Sequence, residues 1–242
     1  MAYRAIARRG RRDGNISGAM PASPITALVF VLLAYFWLGY SMLVLRSPMA
    51  AMIVYYPVIC FGGGILLRRL MARSDPEFFK ARRSGSALGA TIIFSVIATA
   101  GLWASTLLFR PGLIDPGLIT SGLESLGMDR QRFWLSAGFL AAVNPFAEEF
   151  LWRGSVYACF LARTNRWIAV TLSSLLFAGY HPMVVSMIFS PAWLTVVFAV
   201  AFAAGIVFAR LYDDTRNLAY PIALHVVINL NLMIIGYLYS PS

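Results

Sequence analysis

Charge is what this chain has least of. Only 12% of its 242 residues are Asp, Glu, Lys or Arg, against about 25% in a soluble domain. With 60% hydrophobic residues and a mean hydropathy of +0.73, that scarcity excludes an ordinary water-soluble globule. Cysteine is scarce as well. Two residues, Cys60 and Cys159, both in apolar runs, make no disulfide framework and read as small buried hydrophobes. Histidine is rarer than in most chains of this size, with two copies, His181 and His225. There is no internal repeat and no low-complexity tract, which excludes a solenoid or a tail-like linker.

What is present is a series of apolar stretches near or above the roughly 18 residues that span a bilayer. They are Ile25–Leu45, Met49–Leu67, Leu88–Phe109, Phe133–Phe160, Ile168–Phe189, Ala192–Ala209 and Leu218–Tyr239. The expected fold class is all-α: a polytopic transmembrane helical bundle of about seven spans, or eight if Pro145 or Pro182 divides one. The expected organisation is a basic cytoplasmic segment over 1–24 and a single transmembrane domain over 25–242, with the chemistry-bearing half at 133–242. The apolar run after "RRGRRDG" is too long for a signal-peptide core and reads as an uncleaved first span. The loop Arg68–Ser86 is expected on the cytoplasmic side. The loop Arg110–Arg132 is expected outside, with a short surface helix around Leu118–Leu126.

The basic residues set the expected orientation. With the N-terminus cytoplasmic, fifteen of the twenty Lys and Arg fall inside, four (Arg46, Arg110, Arg130 and Arg132) fall outside, and Arg153 lies within the membrane. The reading is an integral, multi-pass protein of a bacterial plasma membrane, N-terminus in and C-terminus out. The net charge of +10 is then a property of one membrane face, where anionic headgroups attract it. The expected partners are the lipid bilayer and a membrane-associated protein or peptide, with no nucleic acid, since no basic segment interleaves with aromatics on a folded face.

Against that background the polar residues inside the spans stand out, because ionisable groups there are costly and mark function by default. "NPFAEEFLWRG" carries Glu148, Glu149 and Arg153. Glu149 and Arg153 are four apart, share a helix face and pair. Glu148 points about 100° away and lacks a dedicated cation. Asn144-Pro145 predicts a kink or restart, with Asn144 as its cap. "FAGYHP" places Phe177 and His181 one turn apart. "HVVIN" places His225 and Asn229 on one face, while Asn231 points elsewhere. Each stretch alone has a bland reading: a buried ion pair, a lone hydrogen-bonded histidine, or an interhelical clasp worth about 1 kcal/mol. Three on three spans together predict a wet polar chamber.

Such a set fits carbonyl hydrolysis. A carboxylate and a histidine can hold and deprotonate a water, while a histidine and an amide stabilise an oxyanion. Zinc is the rival, with Glu148, His181 and His225 as its ligands. There is no H-E-x-x-H, and spacing does not decide between the two.

The ordered motifs "EEFLWR", "FAGYH" and "HVVIN" resemble E-E-x-x-x-R, F-x-x-x-H and H-x-x-x-N of the CPBP family of intramembrane proteases, also called the Abi or type II CaaX protease family. The resemblance covers the chain from Asn144 onward. It implies a membrane-embedded endopeptidase in which Glu148 activates water with His181 as partner. His225 and Asn229 then stabilise the oxyanion, and Glu149 and Arg153 are accessory. The family is described both as metal-dependent and as glutamate-type. The metal-free reading, with no cofactor, is favoured here because Asn229 is a poor zinc ligand but a good donor. The rival functions are a proton-coupled transporter and a non-catalytic immunity or interaction protein.

Overall fold

The computed structural model describes residues 23–72, 80–81, 85–109 and 115–238. Nearly all of the basic N-terminal segment, most of the Arg68–Ser86 loop and the start of the Arg110–Arg132 loop therefore lie outside the described residues. Those described are helical with no strand among them, as hydrocarbon requires of a chain that must satisfy its own backbone.

The helix starts are written in the sequence. Ser23 caps α1 (Pro24–Val44), Ser47 caps α2 (Pro48–Ala72), and each is followed by proline. Each serine oxygen accepts the backbone N–H three residues on, and proline at the first position sacrifices no helical bond. Next come α3 (Gly85–Phe109) and α4 (Pro116–Ser125), the latter capped by Asp115. The helix α4 is the short helix expected in the Arg110–Arg132 loop. After it come α5 (Arg130–Ala142) and α6 (144–161). The helix α7 (Arg166–Gly179), capped by Asn165, is followed by α8 (His181–Val185). Then come α9 (Pro191–Thr215) and α10 (Ala219–Tyr237).

Six helices or helix pairs are long and apolar enough to cross a membrane. They correspond to all the expected spans but one, the fourth. The expected Phe133–Phe160 span is divided at Val143 into α5 and α6. Pro145 forces that break, since it has no N–H to offer the preceding turn. Asn144, however, is not the cap. It is the first residue of α6 and makes no capping bond, and its Oδ1 finds no partner among the described residues. The two glutamates and Arg153 keep α6 from being an ordinary lipid-facing span.

Instead α6 is the axis of the bundle. Residues 151–161 are buried without interruption, the pattern of a helix enclosed on all sides. It packs against α2, α1, α5, α7, α9 and α10. Between Trp152 and Tyr157 its turns widen into a π-helix, and α2 does the same between Tyr55 and Gly63, around Pro57. Such bulges often sit at functional sites.

Lipid offers no hydrophobic drive for helices to associate, so close packing must do it. Gly205 of α9 shows the fit. A Cβ there would stand 3.1 Å from Cα of Ser174 and 3.0 Å from its Cβ, so any side chain would push α9 off α7. At one end of these two helices Arg166 pairs with Asp213 and Asp214, and Arg216 pairs with Asp213 at 2.8 Å. Both cysteines are buried and free, as expected.

Candidate active site

The break before α6 places Glu148 and Glu149 in its second turn, facing different neighbours. Glu149 Oε1 receives Nη1 of Arg153 at 2.8 Å, the predicted same-helix pair. Arg153 also donates to the carbonyl of Gly205 at 3.4 Å. Its guanidinium lies over the rings of Phe177 and Phe208, at 4.1 and 4.8 Å from their centroids. A desolvated cation is stabilised by such faces. The ion pair is thus boxed by α7 and α9.

Nδ1 of His225, on α10, lies 2.9 Å from that same oxygen of Glu149. An ionised carboxylate only accepts, so the proton on this contact belongs to Nδ1. The ring stacks on Phe208 at 5.1 Å. Its other nitrogen, Nε2, faces Oε2 of Glu148 at 3.9 Å, too far for a direct hydrogen bond. Arg153, Glu149, His225 and Glu148 therefore form one line.

Glu148 is held from its other side. Tyr180 donates to Oε1 at 2.6 Å and Tyr55 donates to the same oxygen at 3.1 Å. Trp152 Nε1 donates in turn to the Tyr55 hydroxyl at 3.3 Å. Oε2 has no hydrogen-bond partner among the described residues. None of this was read from the sequence. Tyr55 lies in the half of the chain that carries no motif. Its only signal was a tyrosine pair, "YYP", inside an apolar span. Tyr180 sits beside His181 within the second motif, and its polar tip was the overlooked signal.

His181 lies close but is joined differently from expectation. Its Nδ1 contacts the carbonyl of Phe177 at 2.8 Å, which leaves Nε2 for other chemistry. Its ring stacks on Tyr180 at 4.2 Å and meets Phe177 at 4.6 Å. The contact between Glu148 and His181 thus runs through Tyr180, while His225 is the histidine that faces Glu148 directly. Asn229 Nδ2 donates to the carbonyl of Leu140 on α5 at 2.9 Å, and one of its two amide hydrogens remains. Asn231 points elsewhere, as expected. It accepts from Trp103 at 2.9 Å and donates to Thr99 at 3.1 Å, clasping α3.

The site is closed. Glu148, Glu149, Arg153, His225 and Asn229 are 3%, 0%, 1%, 4% and 8% exposed, and His181 is half-buried. The sequence suggested a wet chamber; the structure has a cluster of polar groups walled by Phe177, Tyr180 and Phe208. No three His, Cys, Asp or Glu side chains among the described residues lie close enough to hold a metal ion. The rival zinc set of Glu148, His181 and His225 is thus not gathered closely enough to share an ion in this arrangement.

These residues fall within one stretch that has a known counterpart. The model of a family described as type II CAAX prenyl endopeptidase Rce1-like matches residues 130–231. The resemblance carried by the three motifs is borne out, and the Rce1-like stretch starts one helix before Asn144, at α5. It contains Glu148, Glu149, Arg153, His181, His225 and Asn229, but not Tyr55. No curated protein and no solved structure matches the chain.

Proposed function

We propose that this protein is an intramembrane endopeptidase that cuts a membrane-associated protein or peptide with a water activated by Glu148. The observation that carries the reading is the asymmetry of that carboxylate. Oε1 receives two tyrosine hydroxyls, while Oε2 is unengaged and faces Nε2 of His225 at 3.9 Å. A carboxylate held by one oxygen has the other ready to take a proton. The Rce1-like family of residues 130–231 supports peptide-bond hydrolysis as the reaction.

In this mechanism Glu148 Oε2 removes a proton from water as the water oxygen attacks the scissile carbonyl, with His181 Nε2 orienting the water. His225, its Nδ1–H given to Glu149, acts as the imidazolium, and its Nε2–H is presented to the oxyanion beside the remaining amide hydrogen of Asn229. The proton held by Glu148 then passes to the departing amine nitrogen, and the C–N bond breaks. Donors aimed at developing charge in a dry site are worth far more than in water, and the buried cluster provides that dryness. No metal is needed, and the lack of a common point for Glu148, His181 and His225 favours this version.

The protein sits with its N-terminus in the cytoplasm of a bacterial cell, as its basic residues suggest. The test is cleavage of membrane-associated peptide libraries by protein reconstituted in liposomes without any ion gradient. Cleavage by wild type and none by Glu148→Gln supports the reading. Gradient-dependent uptake with no cleavage would make the protein a proton-coupled transporter instead, and neither activity would favour a non-catalytic immunity or interaction protein.

A further inference from the structure

We infer that Tyr180, seconded by Tyr55, is a positioning residue that selects which oxygen of Glu148 does the chemistry. The inference rests on the reading of Glu148 as the base. A glutamate has two equivalent oxygens and three rotatable bonds, so a buried one needs outside groups to choose its pose. Here both hydroxyls go to Oε1, Tyr180 at 2.6 Å and Tyr55 at 3.1 Å. Short bonds to a carboxylate are the stronger ones, so Tyr180 is the main holder. Two donors on one oxygen leave Oε2 as the oxygen that faces His225.

The tyrosines are themselves fixed. The Tyr180 ring stacks on Trp152 at 5.8 Å with planes 14° apart and on His181 at 4.2 Å. Tyr55 meets the Tyr180 ring at 6.1 Å and receives the Trp152 indole N–H. The three rings come from α2, α6 and the break between α7 and α8. They therefore tie the carboxylate to three separate elements and to the half-buried histidine. Tyr180 is the residue that places His181 and Glu148 in one rigid unit, the role that a direct contact between them would otherwise fill. Tyr55 brings in the α1–α2 half of the chain, which lies outside the Rce1-like stretch.

The test uses Tyr180→Phe and Tyr55→Phe in the full chain. Each keeps the ring and its stacking and removes only the hydroxyl. Tyr180→Phe should lower kcat about 10- to 100-fold, the scale of a reacting group misplaced by about 1 Å, with KM within about twofold. Tyr55→Phe should do less, and melting in detergent should be little changed. A second readout needs no turnover. The Glu148 carboxyl band, identified as the infrared difference between wild type and Glu148→Gln, should move in Tyr180→Phe because a hydrogen-bond donor is gone.

An unmoved band, or an unchanged kcat beside an inactive Glu148→Gln, would overturn the inference. A KM rise at constant kcat would make Tyr180 a substrate contact and overturn it too. Should Glu148→Gln itself cleave like wild type, the proposed function would fail. A moved band in Tyr180→Phe would then still show Tyr180 holding this carboxylate.

Discussion

Arg153 and His225 share a single oxygen: both reach Oε1 of Glu149, at 2.8 and 2.9 Å. One carboxylate oxygen thus fixes a cation of its own helix and an imidazole of another. Glu149 is the joint between Arg153 and His225, and the two adjacent glutamates sit in different surroundings.

Glu149→Gln should therefore cost stability, while Glu148→Gln should cost activity. Removing one partner of a buried pair leaves the other charge uncompensated, at roughly 3–5 kcal/mol. Because an amide oxygen still accepts, the lower end is expected for Glu149→Gln. Glu148 makes no direct bond to a cation and His225 keeps Glu149 as its partner, so the Gln variant of Glu148 should unfold in denaturant like wild type and cleave nothing. Equal destabilisation in the two variants would make both glutamates structural.

Asn229→Ala separates an oxyanion donor from an interhelical clasp. Its bond to the Leu140 carbonyl is worth about 1 kcal/mol in a membrane. Loss of an oxyanion donor costs about 10²–10³ in kcat. Kinetics and unfolding measured on the same preparation should show the large rate loss with the small stability loss. A rate that falls only as far as the folded fraction would leave Asn229 a clasp.

Asn231→Ala is the matched control, two residues further along the same helix. It breaks the contacts with Trp103 and Thr99, about 1 kcal/mol by the same measure, and should leave kcat and KM unchanged. A large kcat effect would mean that α3 shapes the site.

Metal removal tests the water-activation chemistry directly. Protein treated with a strong chelator should keep its cleavage rate, and elemental analysis should find far less than stoichiometric zinc. Stoichiometric metal, with activity lost on chelation and restored on addition, would hand His181 and His225 to the metal.

Orientation is open to labelling. Met49 is exposed just past the first turn between spans, and Arg163 is exposed between α6 and α7. A membrane-impermeant maleimide added to intact cells should modify Met49→Cys and spare Arg163→Cys. Cys60 and Cys159 are buried and should stay silent. The reverse pattern would invert the protein.

Spacing within one helix made several features legible in advance. The Glu149–Arg153 pair follows from a separation of four, the break before α6 from Pro145, and the different direction of Asn231 from its offset of two from Asn229. Composition alone exposed the helical bundle. Contacts between helices were not legible, because they depend on how each helix is rotated about its axis. The pairing of His225 with Glu149, and not with an oxyanion alone, is one such contact. So is the carbonyl of Leu140 under Asn229. Tyr55 was invisible for a further reason: it is 93 residues from Glu148 in sequence, on a helix without a motif.

The widened turns of α2 have a geometric result. Ala51, Tyr55, Ile59, Gly63, Leu67 and Met71 are all buried, a contact line with a period of four. On an ideal α-helix such a line would creep round the axis by about 40° at each step, and its ends would face opposite sides. The π-helical stretch from Tyr55 to Gly63 holds more residues per turn, so it winds the line back. The helix keeps a nearly straight buried seam, set against α6 from Tyr55 onward, and Tyr55 stays in phase with it. Were those turns to tighten to ordinary α winding with no residue removed, every side chain would remain and one end of that seam would still swing toward lipid.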